Sequence, residues 1–295
     1  MALLVLVSLL WAFSFGLIKG RLVGLDSSFI SAARLGLALL VFLPFLRTRG
    51  IAARTAAALA GIGAVQFGVM YLAYNESFRF LQAHEVALFT ITTPILVTLF
   101  ADAFERRLRG RALFAALLAV AGTAFVVLQS RDLKLTVTGI ALVQLSNAAF
   151  AIGQVLYRRV RASRPDLRDR DVFALLYAGA LVIGLIAMAV RIDLPAITLT
   201  ARQFWTLAYL GILASGLGFF FWNVGATRVS AGTLAVMNNA KVPLSVACSL
   251  IFFGEHTALL PLLASLALLG AAVWLAEGRT RPPPLQTTPR SLPPA

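Results

Sequence analysis

Lys241 is the residue a bilayer would find hardest to accept. It lies within the apolar stretch Ser230 to Glu255, SAGTLAVMNNAKVPLSVACSLIFFGE. At about 1.5 Å per helical residue its ammonium sits roughly 16–20 Å from either end, too far to reach an interface easily. A cation at that depth costs at least about 2.5–3.5 kcal/mol unless a polar cavity, a partner or a ligand receives it. Asn238, Lys241, Ser245 and Cys248 share one face of this helix. Pro243 interrupts the helix and frees a carbonyl one turn earlier, which water or protein must satisfy. Two readings fit: a lysine bonded to neighbouring helices, and a polar stripe facing a substrate path.

Other polar and aromatic residues repeat at helical spacing. Gln144, Asn147, Ala151 and Gln154 form an uncharged polar face, and Phe67, Tyr71, Tyr74 and Phe78 share an aromatic one. Phe219, Phe220, Phe221 and Trp222 run into Asn223, and Trp11 sits inside the first apolar segment. A Trp N–H or Tyr O–H at membrane depth needs a partner. Singly, each aromatic is read as helix packing; together they predict an aromatic-walled cavity beside the polar faces. Thr90 and Thr93 are expected to bond their own helix. Arg34, about two turns inside its segment, could reach the outer surface and is read as structural.

Catalysis finds little support. His84-Glu85 is followed by Leu88 rather than histidine, so the two-histidine zinc motif is missing. There is no Gly-x-Ser-x-Gly elbow and no phosphate-binding Gly-rich loop, which argues against an esterase and an ATP-driven pump. A single cysteine excludes an internal disulfide and a cysteine-based metal site, and two histidines leave little for metal or triad chemistry. No cofactor and no metal are expected. All acidic residues fall near segment ends, in loops or in the tail. Ion-coupled carriers usually place a carboxylate at mid-membrane. Its absence favours uniport or an unconventional exchange.

These residues need a framework, and composition says which. The chain is 60% hydrophobic and 13% charged over 295 residues, more apolar than a soluble core of that size requires. The net charge of +14 could suggest nucleic acid, but the arginines fall in short runs between apolar segments, as in loops flanking membrane spans. Ten spans are predicted, at about 2–20, 28–46, 56–78, 84–104, 111–130, 136–157, 172–190, 203–226, 230–253 and 258–276. The first is too continuous with the rest to be a cleaved signal. With the N-terminus inside, 17 of the 26 basic residues lie on the cytoplasmic side, 7 on the other, and Arg34 and Lys241 within spans. That bias predicts cytoplasmic termini. The tail at 278–295 is Pro-rich and polar and is expected to be disordered.

An internal repeat is also visible. Ala12-Phe13-Ser14-Phe15-Gly16 in span 1 parallels Ala149-Phe150-Ala151-Ile152-Gly153 in span 6, and at an offset of 149 Arg79 falls on Arg228 and Pro94 on Pro243. An odd number of spans per half inverts the second copy, giving units at 1–131 and 132–277 with opposite orientation. Substrate sites in such proteins lie near the midplane between the halves.

The WAFSFGLIK opening, the Ala-Ala-Arg of span 2 and the paired endings Pro94 to Glu105 and Pro243 to Glu255 resemble the EamA-type members of the drug/metabolite transporter superfamily, over residues 2–276. NNAKVPL in span 9 makes the chain most similar, within that family, to bacterial amino-acid exporters. The resemblance implies an all-α, ten-helix inner-membrane exporter with a central cavity lined by spans 1, 3, 4, 6, 8 and 9. It implies amino acids, aromatic ones among them, as cargo. The combined expectation is a secondary transporter working by alternating access in the bacterial inner membrane, surrounded by lipid, binding no nucleic acid. A monomer is expected, with a dimer as the alternative. Lys241 would meet a carboxylate. Asn238, Asn147, Gln144 and Gln154 would add neutral contacts, and Trp11, Tyr71, Tyr74, Phe219 and Trp222 the apolar wall. Pro94, Pro243, Gly16 and Gly153 would permit close packing and bending. Alternatives are a carrier of another cargo (nucleobase, drug or sugar derivative) and a membrane enzyme.

Overall fold

The computed structural model describes residues 1–81, 83–127, 136–191, 198–252 and 259–277. The tail at 278–295, expected to be disordered, lies outside the described residues, as do Glu255 and the side chains of Ser245 and Cys248. Among the described residues every regular element is helical, and the helices form ten rods at the places the apolar segments dictate. Span 1 comprises Ala2–Ala12 and Ser14–Arg21, span 2 Ser27–Phe42, and span 3 Ala53–Gly63, Ala64–Val69 and Met70–Ser77. Span 4 comprises Ala83–Thr90 and Thr93–Glu105, span 5 Gly110–Val127, span 6 Val137–Ser163 and span 7 Asp169–Arg191. Span 8 comprises Ala201–Ala208, Tyr209–Leu217 and Gly218–Ala226, span 9 is Ala231–Phe252, and span 10 is Leu259–Glu277. The fold is an all-α, ten-helix membrane fold.

Local chemistry fixes several helix starts. Asp26 accepts from the Ser28 backbone N–H at 2.7 Å and opens span 2. Thr200 and Gln203 form a reciprocal capping box at the start of span 8. Pro94 stands in the first turn of the second half of span 4, where a missing N–H costs nothing and a fixed φ suits the helix. Pro243 instead lies inside the continuous helix of span 9. The two prolines, equivalent by sequence offset, therefore do different things: one restarts a broken helix and the other interrupts a hydrogen-bond ladder.

Among the described residues, four spans depart from a regular α-helix at mid-depth. Span 1 breaks at Phe13 and span 4 at Ile91 and Thr92, while spans 3 and 8 each contain a π-helical stretch, Ala64–Val69 and Tyr209–Leu217. In hydrocarbon the carbonyls released by such departures must find protein donors. They do. Phe89 O, before the span 4 break, accepts from Gln144 Nε2 at 3.1 Å and Asn147 Nδ2 at 2.8 Å. Ile91 O accepts from Asn239 Nδ2 at 3.0 Å. In span 8, Ala214 O accepts from Trp11 Nε1 at 2.9 Å and Ser215 O from the Tyr177 hydroxyl at 2.6 Å.

Small residues bring the rods close, the expected driver of helix association in lipid. A Cβ on Gly63 would lie 1.9 Å from Leu176 O, and one on Gly179 would lie 2.0 Å from Ala60 O, so spans 3 and 7 meet backbone to backbone. Span 2 packs on spans 7 and 8, span 3 on 6 and 7, span 4 on 6 and 9, span 1 on 8 and 9, and span 5 on 10. Exchanging 1 with 6, 2 with 7, 3 with 8, 4 with 9 and 5 with 10 leaves these pairings unchanged, whereas span 5 also packs on span 9 without an equivalent contact of span 10 on span 4 among the described residues. Rings from spans 2, 3, 7 and 8 form the aromatic core, with Phe67 stacked on Tyr177 at 5.3 Å and on Phe219 at 4.7 Å.

Candidate functional site

Residues that flank the irregular stretches border one cavity, with about 570 Å³ of atom-free space counting the part that opens outward. Spans 1, 2, 3, 4, 6, 8 and 9 contribute to its wall. Six of the ten residues that the sequence offers for cargo contact line it: Lys241, Asn147, Trp11, Tyr71, Tyr74 and Phe219. Thr90 and Thr93 line it as well, although the Thr93 hydroxyl also donates to Thr90 O at 2.7 Å, the local bonding expected of it.

The wall is an aromatic shelf. Trp11 and Phe219 lie 4.8 Å apart between ring centroids, and Phe219 and Tyr71 5.6 Å. Phe150, from the repeat motif of span 6, packs edge-on against both Trp11 and Phe219. Lys241 Nζ stands 5.7 Å from the Trp11 ring. At that distance the ring face attracts a cation and partly offsets desolvation. Among the described residues no side chain bonds this ammonium.

Four expected contact residues point elsewhere. Gln144 donates to Phe89 O and accepts from the Thr92 hydroxyl at 2.8 Å, so it caps the broken span 4. Asn147 spends its amide on Phe89 O and, at 3.1 Å, on Thr92 Oγ1, although it borders the cavity. Gln154, Asn238 and Trp222 bond one another: Trp222 Nε1 donates to Gln154 Oε1 at 3.0 Å, and Gln154 Nε2 to Asn238 Oδ1 at 3.3 Å. All three are fully buried or nearly so, and none lines the cavity. Asn238 and Lys241, three residues apart, are therefore not one substrate stripe; they serve different depths. Beside this triad, Gln66 and Asn223 exchange amide hydrogen bonds at 2.9 and 3.3 Å across spans 3 and 8. Gly153 allows the approach of span 6 to span 3, since a Cβ there would lie 2.2 Å from Gln66 Cβ. Pro243 is buried, and Gly16 lies in the second half of span 1 with its surroundings outside the described residues.

Arg34 departs most from its sequence reading. Only 3% exposed, it turns inward to line the cavity rather than outward to the surface. Its Nη2 donates to the Tyr71 hydroxyl at 2.6 Å and its Nε to Ser215 Oγ at 3.1 Å. The guanidinium carbon lies 4.1 Å from the Tyr71 ring centroid. Ser215 comes from the π-helical stretch of span 8, where its own hydroxyl donates to Leu210 O. The described lining thus carries two cationic side chains, Arg34 and Lys241, and no carboxylate.

The model of the EamA-like transporter family matches this chain at residues 1–128 and 137–276. Curated relatives of the same length class are similar across almost the whole chain. A protein named biotin transporter in Salmonella typhimurium is 40% identical over 97% of this chain and 96% of its own length. One of the same name in Escherichia coli is 40% identical over the same shares. A probable biotin transporter of Pseudomonas aeruginosa is 42% identical over 93% of this chain and 96% of its own. A solved crystal structure of a protein 17% identical superposes with a TM-score of 0.74, covering 93% of this chain and 96% of that one, a likeness of fold.

Proposed function

Starting from the fact that this chain belongs to the EamA-like transporter family, we propose that it is a secondary carrier of biotin. It is a membrane transporter of a small molecule and not an enzyme. The observation that carries the cargo is the 40% identity, over nearly the full length, to proteins named biotin transporter. That name replaces the amino-acid exporters of the sequence reading as the best guide to cargo; the alternative of another cargo within the same family is the better supported one.

The cavity suits the chemistry. Biotin has a flat ureido head, an apolar stem and a terminal carboxylate, and the shelf of Trp11, Phe219 and Tyr71 offers apolar area between cationic groups. The bilayer is crossed by alternating access between halves at 1–131 and 132–277, a division supported by the exchangeable neighbour pattern and by the π-helical stretch in each of spans 3 and 8. With both termini in the cytoplasm of a bacterial inner membrane, as the arginine bias favours, the cavity lies toward the outer face. One helical turn further in, the triad of Gln154, Asn238 and Trp222 and the pair of Gln66 and Asn223 then close the inner half. Lys241 would meet the polar end of the cargo.

Counterflow tests this. Protein in liposomes preloaded with biotin should accumulate labelled biotin without ATP, and empty liposomes should not. Exchange of phenylalanine or tryptophan without exchange of biotin would restore the amino-acid reading.

A further inference from the structure

We propose that Arg34 is the seat of the cargo's carboxylate, and that Lys241 serves the opposite, uncharged polar end. The proposal rests on the carrier reading above and adds the polarity of binding. Arg34 is buried, and two of its three nitrogens are fixed by Ser215 and Tyr71. The third, Nη1, is buried and has no hydrogen-bond partner among the described residues. A guanidinium keeps its charge in proteins, and a buried donor left unpaired is costly. Neither Ser215 nor Tyr71 carries a negative charge, and among the described residues no carboxylate lines the cavity beside them. The site is therefore complete in position and incomplete in charge. An anionic oxygen arriving from the cavity supplies what is missing.

The order of the rings gives the polarity. Arg34 stacks on Tyr71, Tyr71 meets Phe219, Phe219 meets Trp11, and Lys241 stands against Trp11. The two cations thus bracket one aromatic shelf. An amphipathic acid lying along it has its carboxylate at one cation and its head at the other. Arg34 is the better carboxylate partner: it is held rigidly by two bonds, whereas the ammonium of Lys241 is held by none among the described residues. Pre-organised forks favour carboxylates over flexible ammonium groups.

The test is competition by biotin and by its uncharged methyl ester against labelled biotin on the purified carrier. Wild type should prefer the acid by about 10- to 100-fold, the value of a charge-assisted bond. Arg34→Gln should bring that ratio toward one while the ester still competes. Tyr71→Phe, which keeps the ring but removes the hydroxyl that holds Nη2, should lower it several-fold. If Arg34→Gln does not fold, Tyr71→Phe and wild type decide. An ester that competes as well as the acid in wild type, or an unchanged ratio in either folded variant, overturns the assignment. If wild type binds no biotin, the cargo reading fails separately. The same acid-to-ester ratio is then measured on the carboxylic acid that counterflow identifies, and a carrier that takes no carboxylic acid refutes the Arg34 seat.

Discussion

Replacing Gly153 with alanine should destabilise the bundle and impair transport, although alanine is the better helix former. The added Cβ would lie 2.2 Å from Gln66 Cβ, 2.6 Å from its Cγ and 2.9 Å from its Cα. Ordinary contacts begin near 3.4 Å, so spans 3 and 6 must part by roughly 1 Å. A new rotamer cannot relieve this, because the Cα and Cβ of Gln66 are themselves in the way. Its amide is also tied to Asn223. Overpacking of this kind costs up to about 3 kcal/mol, and the gain in helix propensity returns about 1 kcal/mol, leaving a net loss of about 2 kcal/mol. Gly61, in the same span 3, is the control: a Cβ there meets nothing within 4 Å. Gly61→Ala should be neutral or stabilising by up to about 1 kcal/mol. Reversible unfolding in mixed micelles gives both values, and counterflow gives activity. Equal stability and equal flux in the two variants would refute the close approach of spans 3 and 6.

Two further perturbations test neighbouring parts of the site. Gln66→Leu should cost about 1–3 kcal/mol by stranding the buried amide of Asn223. The double variant with Asn223→Leu should cost less than the two single changes added, with a coupling of about 0.6–1.7 kcal/mol; strict additivity in the unfolding titration would dissolve the pair. Lys241→Met should unfold at or above the wild-type denaturant midpoint, because an unbonded ammonium is removed, yet lose at least about tenfold in counterflow, the value of one charge-assisted contact; wild-type flux would remove Lys241 from the site.

The ten spans were legible because hydrocarbon thickness imposes a length on every crossing helix, and apolar runs of that length are plain in the sequence. Four of the five expected wall aromatics border the cavity, Trp222 being bonded to Gln154 instead. They were legible for a related reason: deep Trp and Tyr need partners, and Trp11 and Tyr71 have them in Ala214 O and Ser215. The helix breaks were not. Nothing at Ile91 or Thr92 breaks a helix by itself, and Pro94 fits a first turn as well as it kinks an interior. This hid the acceptors that Gln144 and Asn147 serve. Periodicity placed these amides on one face correctly, but it could not say whether a ligand or a released carbonyl would take their hydrogens.

Arg34 shows the same limit from the other direction. Two turns from a helix end, a long cationic side chain can reach an interface, and in a lone helix that outcome is favoured. Here it turns inward because Tyr71 of span 3 and Ser215 of span 8 offer oxygens at 2.6 and 3.1 Å. Ser215 lies within the π-helical stretch, its own hydrogen spent on Leu210 O. Irregular backbone therefore acts twice in this bundle. In spans 4 and 8 it releases mid-depth carbonyls that amides and an indole take up, and in span 8 it also presents the oxygen that holds Arg34 toward the cavity. A straight ten-helix bundle of the same composition would have left Arg34 seeking the interface, and the cavity without that charge.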